Sequence, residues 1–371
     1  MVNNSNPKES LVIGSQLRRA RDLLQFTREE VAEVIGVHIQ DIGGWEEEKL
    51  RPNLKQLETL AKLYGREMDY FLRVTPAPPE HIEFRGKPGQ SLKGLSKETK
   101  IVLARFDELC RTVLELENFL NKKREVKLPR FKESDQPKIV AETLRKKFNI
   151  DDKPLLKLRD FLENAGVRTF ELPVPGDEFS GFSFWHSEYG PCILLNANEK
   201  PEGRKNFTLA HELAHLLYNH GSSLCYIPLK LHEIYRGLEY KTNQTAIELL
   251  LPEVGVIQDF KKRGFSRTPS EKELAQMAYA KWGVSIQALG YRLENLDLIE
   301  KGYTDKLWET KQYYKGKKGP RTPKWEKQLG KQFVGTSIEA YQKGFISVGK
   351  LASSLGITVR RAIEQIEKRA K

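Results

Sequence analysis

The chain has 371 residues, too many for one ordinary compact core, so two or three domains are expected. Hydrophobic residues make up 39% and charged residues 30%, which excludes a largely disordered chain, and no apolar run approaches the length needed to cross a bilayer. A formal net charge of +12 favours partners that carry phosphates or acidic surfaces.

The first residues, MVNNSNPKES, lack a charged segment followed by an apolar stretch, so a cytoplasmic location without membrane association is expected. Cys110, Cys192 and Cys225 show no C-x-x-C spacing, which argues against a disulfide framework or a thiolate metal site; buried thiols are expected instead.

From about Ser10 to Leu72, apolar residues recur at helical spacing with breaks at Gln25-Phe26, Gly36, a Glu-rich turn and Gly65, which fits five short helices. Thr27 is a natural N-cap, and Glu30 three residues later completes a capping box. Val31, Ala32 and Ile35 face the core, Gly36 makes the tight turn, and a second helix starts near Val37. This segment resembles the XRE family of repressor-like DNA-binding domains, in the succession R-x-x-R, T-x-x-E-V-A-x-x-x-G-V, W-E and L-x-x-L-A. The resemblance implies that Arg28, His38, Ile39 and Gln40 face phosphates and base edges. Two departures stand against it. Gly43 and Gly44 lie inside the would-be recognition helix at a cost of about 1 kcal/mol each, and Glu46, Glu47 and Glu48 follow where carboxylates repel a phosphate backbone. A protein-docking or dimerising module is the competing reading.

Residues 74–97 are rich in Pro, Gly and charge and read as a linker. Residues 98–130 carry Val102, Phe106, Leu109, Val113, Leu116 and Leu120 on one face of a single long helix, either a spacer packed on the next domain or half of a homodimer seam. From Pro137 the texture becomes mixed. IVAETLRKKFNI and PLLKLRDFLENAG are helical, VRTFELPVP is a strand, and FSGFSFWHSEYGPCILLNAN is a strand pair turning near Glu188 to Pro191.

The next segment, FTLAHELAHLLYNHG, is an apolar helix that starts after Pro201 and ends at Gly221. His211 and His215 are one turn apart on the same face, so both imidazoles can converge on one cation. Glu212 lies about 100 degrees round, where it can take a proton from water on that cation, the division of labour in H-E-x-x-H metallohydrolases. Among downstream third ligands, His220 sits too far round the helix, and the metzincin spacing fails because Tyr218 and Gly221 stand where it needs glycine and histidine. His232, Glu233, Glu239 and Glu248 stay open on spacing alone.

The pair R-x-x-F-T-L-A-H-E-x-x-H-L-L and E-x-x-x-N-x-x-A-x-E-L-L-x-P resembles the ImmA/IrrE family of metallo-endopeptidases. It is met here by Arg204, Phe207 to Leu217, Glu239, Asn243, Ala246, Glu248, Leu249, Leu250 and Pro252. The resemblance runs from about Pro137 to Tyr303. It implies that His211, His215 and Glu239 hold a zinc ion, that Glu212 is the general base, and that Glu248 serves structure, with Glu248 as the rival ligand. Manganese is also accepted by two histidines and one carboxylate. The strand Gly181 to Trp185 offers an edge for an extended substrate; Arg292 or Tyr291 is a candidate to stabilise an oxyanion, with packing or a surface ion pair as the competing reading.

The run KQYYKGKKGPRTPKWEKQLGKQ interleaves lysines with Tyr313, Tyr314 and Trp325 and reads as a solvated linker rather than a nucleic-acid footprint. Residues 320–371 form a helical appendage in which Ser347 caps one helix and a second follows Gly356. A packing or partner-docking role is the reading preferred over a second DNA-binding element.

The expected chain is therefore multidomain and mainly α, with a small α+β zincin-like metallopeptidase domain at 137–303 and an N-terminal five-helix XRE-type helix-turn-helix at 10–73. The family resemblance implies a zinc-dependent, site-specific endopeptidase that cleaves a repressor or antitoxin-type regulator in a stress or mobile-element switch. The alternative is a non-catalytic transcriptional regulator or antitoxin that binds DNA and a partner protein.

Overall fold

A computed structural model describes residues 14–72, 95–176, 178–188, 190–199, 202–219, 223–225, 237–266, 268–309 and 324–370. The linker expected at 74–97 lies almost wholly outside the described residues, as do the lysine-rich run up to Pro323 and the ligand candidates His220, His232 and Glu233. The chain divides into two compact units, the first reaching Thr112 and the second holding Val113–Lys371.

The first unit contains α1 (Gly14–Leu23), α2 (Arg28–Ile35), α3 (Ile39–Glu46), α4 (Leu54–Leu63), a 3-10 turn at Met68–Leu72, and α5 (Lys97–Phe119) as far as Thr112. The fifth expected helix is thus the 3-10 turn. The Thr27 side chain accepts from Glu30 N while Glu30 accepts from Thr27 N, the reciprocal capping box the sequence calls for. Gly36 closes α2 at φ 74°, where a Cβ is penalised. Leu17, Val31, Ile42, Trp45, Leu57, Leu60, Tyr70 and Phe71 make the core.

The acidic run does not face outward as a block. Glu46 is turned inward with 2% of its side chain exposed, bonded to Arg21 Nε at 2.6 Å and Arg28 Nε at 2.9 Å. Two guanidinium groups offset the cost of burying that carboxylate, so only Glu47 and Glu48 remain at the surface.

The expected helix over 98–130 stops at Phe119. Asn121 adopts φ 52°, and Lys122 N reaches back to Glu117 O at 2.8 Å, a left-handed close that asparagine tolerates. The chain then runs extended along the second unit, where Lys127 N donates to Ala165 O (2.9 Å) and Phe131 N donates to Leu217 O (3.0 Å).

The second unit continues with α6 (Pro137–Lys147), α7 (Leu158–Asn164), β1 (Arg168–Leu172), β2 (Gly181–His186), β3 (Gly190–Asn196), α8 (Glu202–Leu217), β4 (Ser223–Cys225) and α9 (Gly237–Leu250). The sheet order is β1-β3-β2-β4, with β1 parallel to β3 and the other pairs antiparallel. α8 packs on β2 and β3 and against α9, which in turn lies on α6. Leu209, Leu213, Leu216 and Leu217 of α8 are at most 2% exposed, each worth about 1.5–3 kcal/mol of burial. Buried Arg145 of α6 donates to the carbonyls of Asp151, Lys153 and Leu249, so it tethers the C-terminal end of α9. Its burial lowers its pKa to about 10.

Next come α10 (Glu253–Arg263), α11 (Glu271–Ala275), a π-helical stretch at Gln276–Trp282, α12 (Ile286–Asn295) and α13 (Tyr303–Glu309). Among the described residues, α14 (Lys324–Leu329), α15 (Lys331–Gln342), α16 (Val348–Leu355) and α17 (Val359–Ala370) follow. The linker reading of the basic run therefore fails from Lys324, where helix begins and α14 packs on β1. Phe333 meets Phe170 edge-on at 5.5 Å, which seats α15 on the sheet. Cys110 and Cys192 are buried and not joined in a disulfide. Among the described residues, no helix is long and apolar enough to cross a membrane.

Candidate metal centre

The apolar residues of α8 pull the helix into the core and carry its polar residues with them. His211 is 1% exposed, Glu212 0% and His215 1%. One turn of helix separates the two imidazoles, whose Nε2 atoms lie 3.0 Å apart. From the first turn of α9, Glu239 brings Oε2 to 3.3 Å from His211 Nε2 and Oε1 to 3.7 Å from His215 Nε2. All three donor atoms fall within 4.8 Å of one another. Tetrahedral ligands at ordinary zinc–nitrogen bond lengths are separated by roughly 3.3 Å, so the spacing suits one divalent ion.

The donor chemistry agrees with the spacing. His211 Nδ1 lies 2.8 Å from Asn243 Oδ1. An amide oxygen only accepts, so Nδ1 carries the proton and Nε2 keeps its lone pair toward the cluster. Burial alone would push the His211 imidazolium down in pKa, but the Glu239 and Glu212 carboxylates and Asn243 outweigh it and the pKa is raised.

α8 and α9 are held in register around the cluster. Tyr218 and Thr245 hydroxyls meet at 2.9 Å, and Lys241 lies over the Tyr218 ring at 4.7 Å. At the opening of α8, Glu199 accepts from Arg204 Nε (2.7 Å) and from the Thr208 hydroxyl (2.8 Å), which fixes the helix against the end of β3.

β2 crosses α8 at Gly181. A Cβ there would stand 2.6 Å from Glu212 Oε1 and 2.8 Å from Thr208 Cγ2, so only glycine lets the strand pass this closely. The β2 edge expected for an extended substrate is partly taken by the chain itself, since Gly181, Phe182 and Ser183 pair with Cys225, Leu224 and Ser223 of β4.

Glu248 stands outside the cluster, with its two oxygens bonded to Arg292 at 2.8 and 2.7 Å. Arg292 also donates to Leu251 O, and the Tyr291 hydroxyl donates to Asp305 at 2.6 Å, so both groups named for an oxyanion are engaged elsewhere. In the first unit, His38 and Gln40 are exposed, Ile39 is half-buried, and Arg28 is tied to Glu46 with 34% of its side chain exposed. Asn243 and Gly181 had no role assigned from sequence. The step of four from Glu239 to Asn243 puts both on one helical face, a signal available for the first. Nothing local to Gly181 signals the second.

Residues 162–294 match a peptidase family described as the IrrE N-terminal-like domain, and residues 17–71 match a helix-turn-helix family. Over 68 residues the chain is 38% identical to an uncharacterised HTH-type transcriptional regulator, YobD, of Bacillus subtilis (strain 168). That stretch is 18% of this chain and spans 61% of the length of that relative. The chain carries an XRE-type helix-turn-helix domain followed by an IrrE-like metallopeptidase domain.

Proposed function

We propose that the chain is a zinc-dependent endopeptidase joined to a DNA-binding module, acting in the cytoplasm on a repressor or antitoxin-type regulator. The observation that carries this reading is the convergence of His211, His215 and Glu239 beside the buried Glu212 carboxylate. His211, His215 and Glu239 would hold the ion, and Asn243 would orient the first of them. Such an ion, when bound, would supply Lewis acidity and make water easier to deprotonate.

The protein's own groups then do the positioning and the proton transfer. The Glu212 carboxylate, shielded from solvent by β2, accepts the proton of the attacking water and returns it to the leaving amine. The carboxylate is wholly buried, which keeps bulk water from it and strengthens its interactions. Gly181 brings the backbone of β2 to the same place, where the strand beyond Ser183 can align a peptide.

The pairing of β4 with β2 supports a second reading, a regulator that uses the domain to bind a partner without cutting it. One experiment separates the two. Purified protein and its Glu212→Gln variant are assayed for zinc and incubated with the regulator encoded beside it. Retained zinc with lost cleavage supports the peptidase. Absence of cleavage by either form, together with tight binding of the regulator, would overturn it.

A further inference from the structure

The sixteen residues TREEVAEVIGVHIQDI at 27–42 and SVGKLASSLGITVRRA at 347–362 follow one pattern at a constant offset. Each begins with a hydroxyl N-cap, since Thr27 accepts from Glu30 N and Ser347 from Lys350 N. Each first helix ends at a left-handed glycine, Gly36 at φ 74° and Gly356 at φ 63°. The residue after each glycine donates back to the matching alanine, Val37 N to Ala32 O at 3.1 Å and Ile357 N to Ala352 O at 3.0 Å. The core positions also agree: Val31, Ala32 and Ile42 are 0–5% exposed, as are Leu351, Ala352 and Ala362 at 0–3%.

From this correspondence we infer that α16 and α17 form a second helix-turn-helix, whose occupant is duplex DNA. His38, Ile39 and Gln40 correspond to Thr358, Val359 and Arg360, at the end of the second helix that enters the major groove in such motifs. Among the described residues this end of α17 is uncovered, with Arg360 paired to Glu364 of its own helix at 3.4 Å. α17 packs chiefly on α16 through Ala362, while Thr358, Val359, Arg360 and Arg361 are exposed, the Arg360 side chain by 91%.

The chemistry favours DNA over a protein partner. The expected reading end of α3 carries Asp41 and is followed by Glu47 and Glu48, whereas α17 opens with Arg360 and Arg361. Lys368, Arg369 and Lys371 follow, against Glu364 and Glu367. Arginine forks match guanine edges or phosphate oxygens, and Val359 and Ile363, 46% and 43% exposed, suit thymine methyl groups.

The test uses the full chain and a mixed-sequence duplex of about 40 base pairs, titrated by fluorescence anisotropy between roughly 50 and 200 mM salt. Replacing both arginines, Arg360→Ala with Arg361→Ala, is expected to weaken binding on the order of tenfold and to lower the slope of log affinity against log salt by about 2. Melting should stay at the wild-type temperature because both side chains are exposed. The paired Arg360→Lys and Arg361→Lys variant should restore the salt slope. Failure of the wild-type chain to bind duplex, or wild-type affinity and slope in the alanine pair, would overturn the inference. Loss of a protein partner by the alanine pair with DNA binding intact would do the same.

Discussion

Gly181 and Glu212 are in contact distance across the strand–helix interface: a methyl group on the glycine would sit 2.6 Å from the carboxylate oxygen. The general-base candidate is therefore positioned by the absence of a side chain on β2 as well as by its own helix. Gly181→Ala should displace the carboxylate without touching His211, His215 or Glu239. The expected result is a fall in cleavage rate of about 100-fold with unchanged zinc content, measured on the same preparation. A wild-type rate would refute the positioning role.

Asn243 is expected to act on metal affinity. Asn243→Ala removes the acceptor that fixes the His211 tautomer, which should weaken zinc binding about 10- to 100-fold in competition with a chromophoric chelator. Glu248→Gln should leave zinc affinity unchanged, because that carboxylate is spent on Arg292.

Glu46 should matter for stability more than for repulsion of DNA. Glu46→Ala leaves Arg21 and Arg28 without their shared partner, and Arg28 is partly solvated. The loss should be roughly 2–3 kcal/mol in urea denaturation of the full chain. A change under about 0.5 kcal/mol would show that solvent satisfies both arginines.

A pH signature is expected at Glu163, where burial raises the carboxyl pKa against the opposing pull of Arg159. Because its folded pKa lies above its ordinary 4.5, the folded state holds the proton more tightly than the unfolded chain. The resulting stability is complete below 4.5 and is lost as pH rises through the raised value. Wild type should thus gain in melting temperature relative to Glu163→Gln as pH falls from 7 toward 4.5. A difference that is flat or opposite in sign would contradict this.

Local chemistry was the legible part of the chain. Thr27 with Glu30, Gly36, Ser347 and Gly356 are read within a few residues, and the helix termini they dictate are those observed. His211 and His215 share a face by helical arithmetic alone, whereas Glu239 came only through the family resemblance, since nothing in its spacing selects it over Glu233 or Glu248. What stayed hidden depends on distant partners. The inward turn of Glu46 requires Arg21 and Arg28, the pairing of β2 with Ser223–Cys225 requires the sheet, and the need for glycine at 181 requires Glu212. The stop of α5 at Phe119 was a local misreading, because the apolar periodicity through Leu120 masked the asparagine that closes the helix.

The extended segment after α5 has a mechanical consequence. Phe131 N caps the carbonyl of Leu217, two residues beyond His215, so the last turn of the histidine helix is clamped by a strap from elsewhere in the chain. A proteolytic nick between Lys122 and Phe131 would release that clamp, letting the turn fray and loosening one imidazole while leaving every candidate ligand chemically intact.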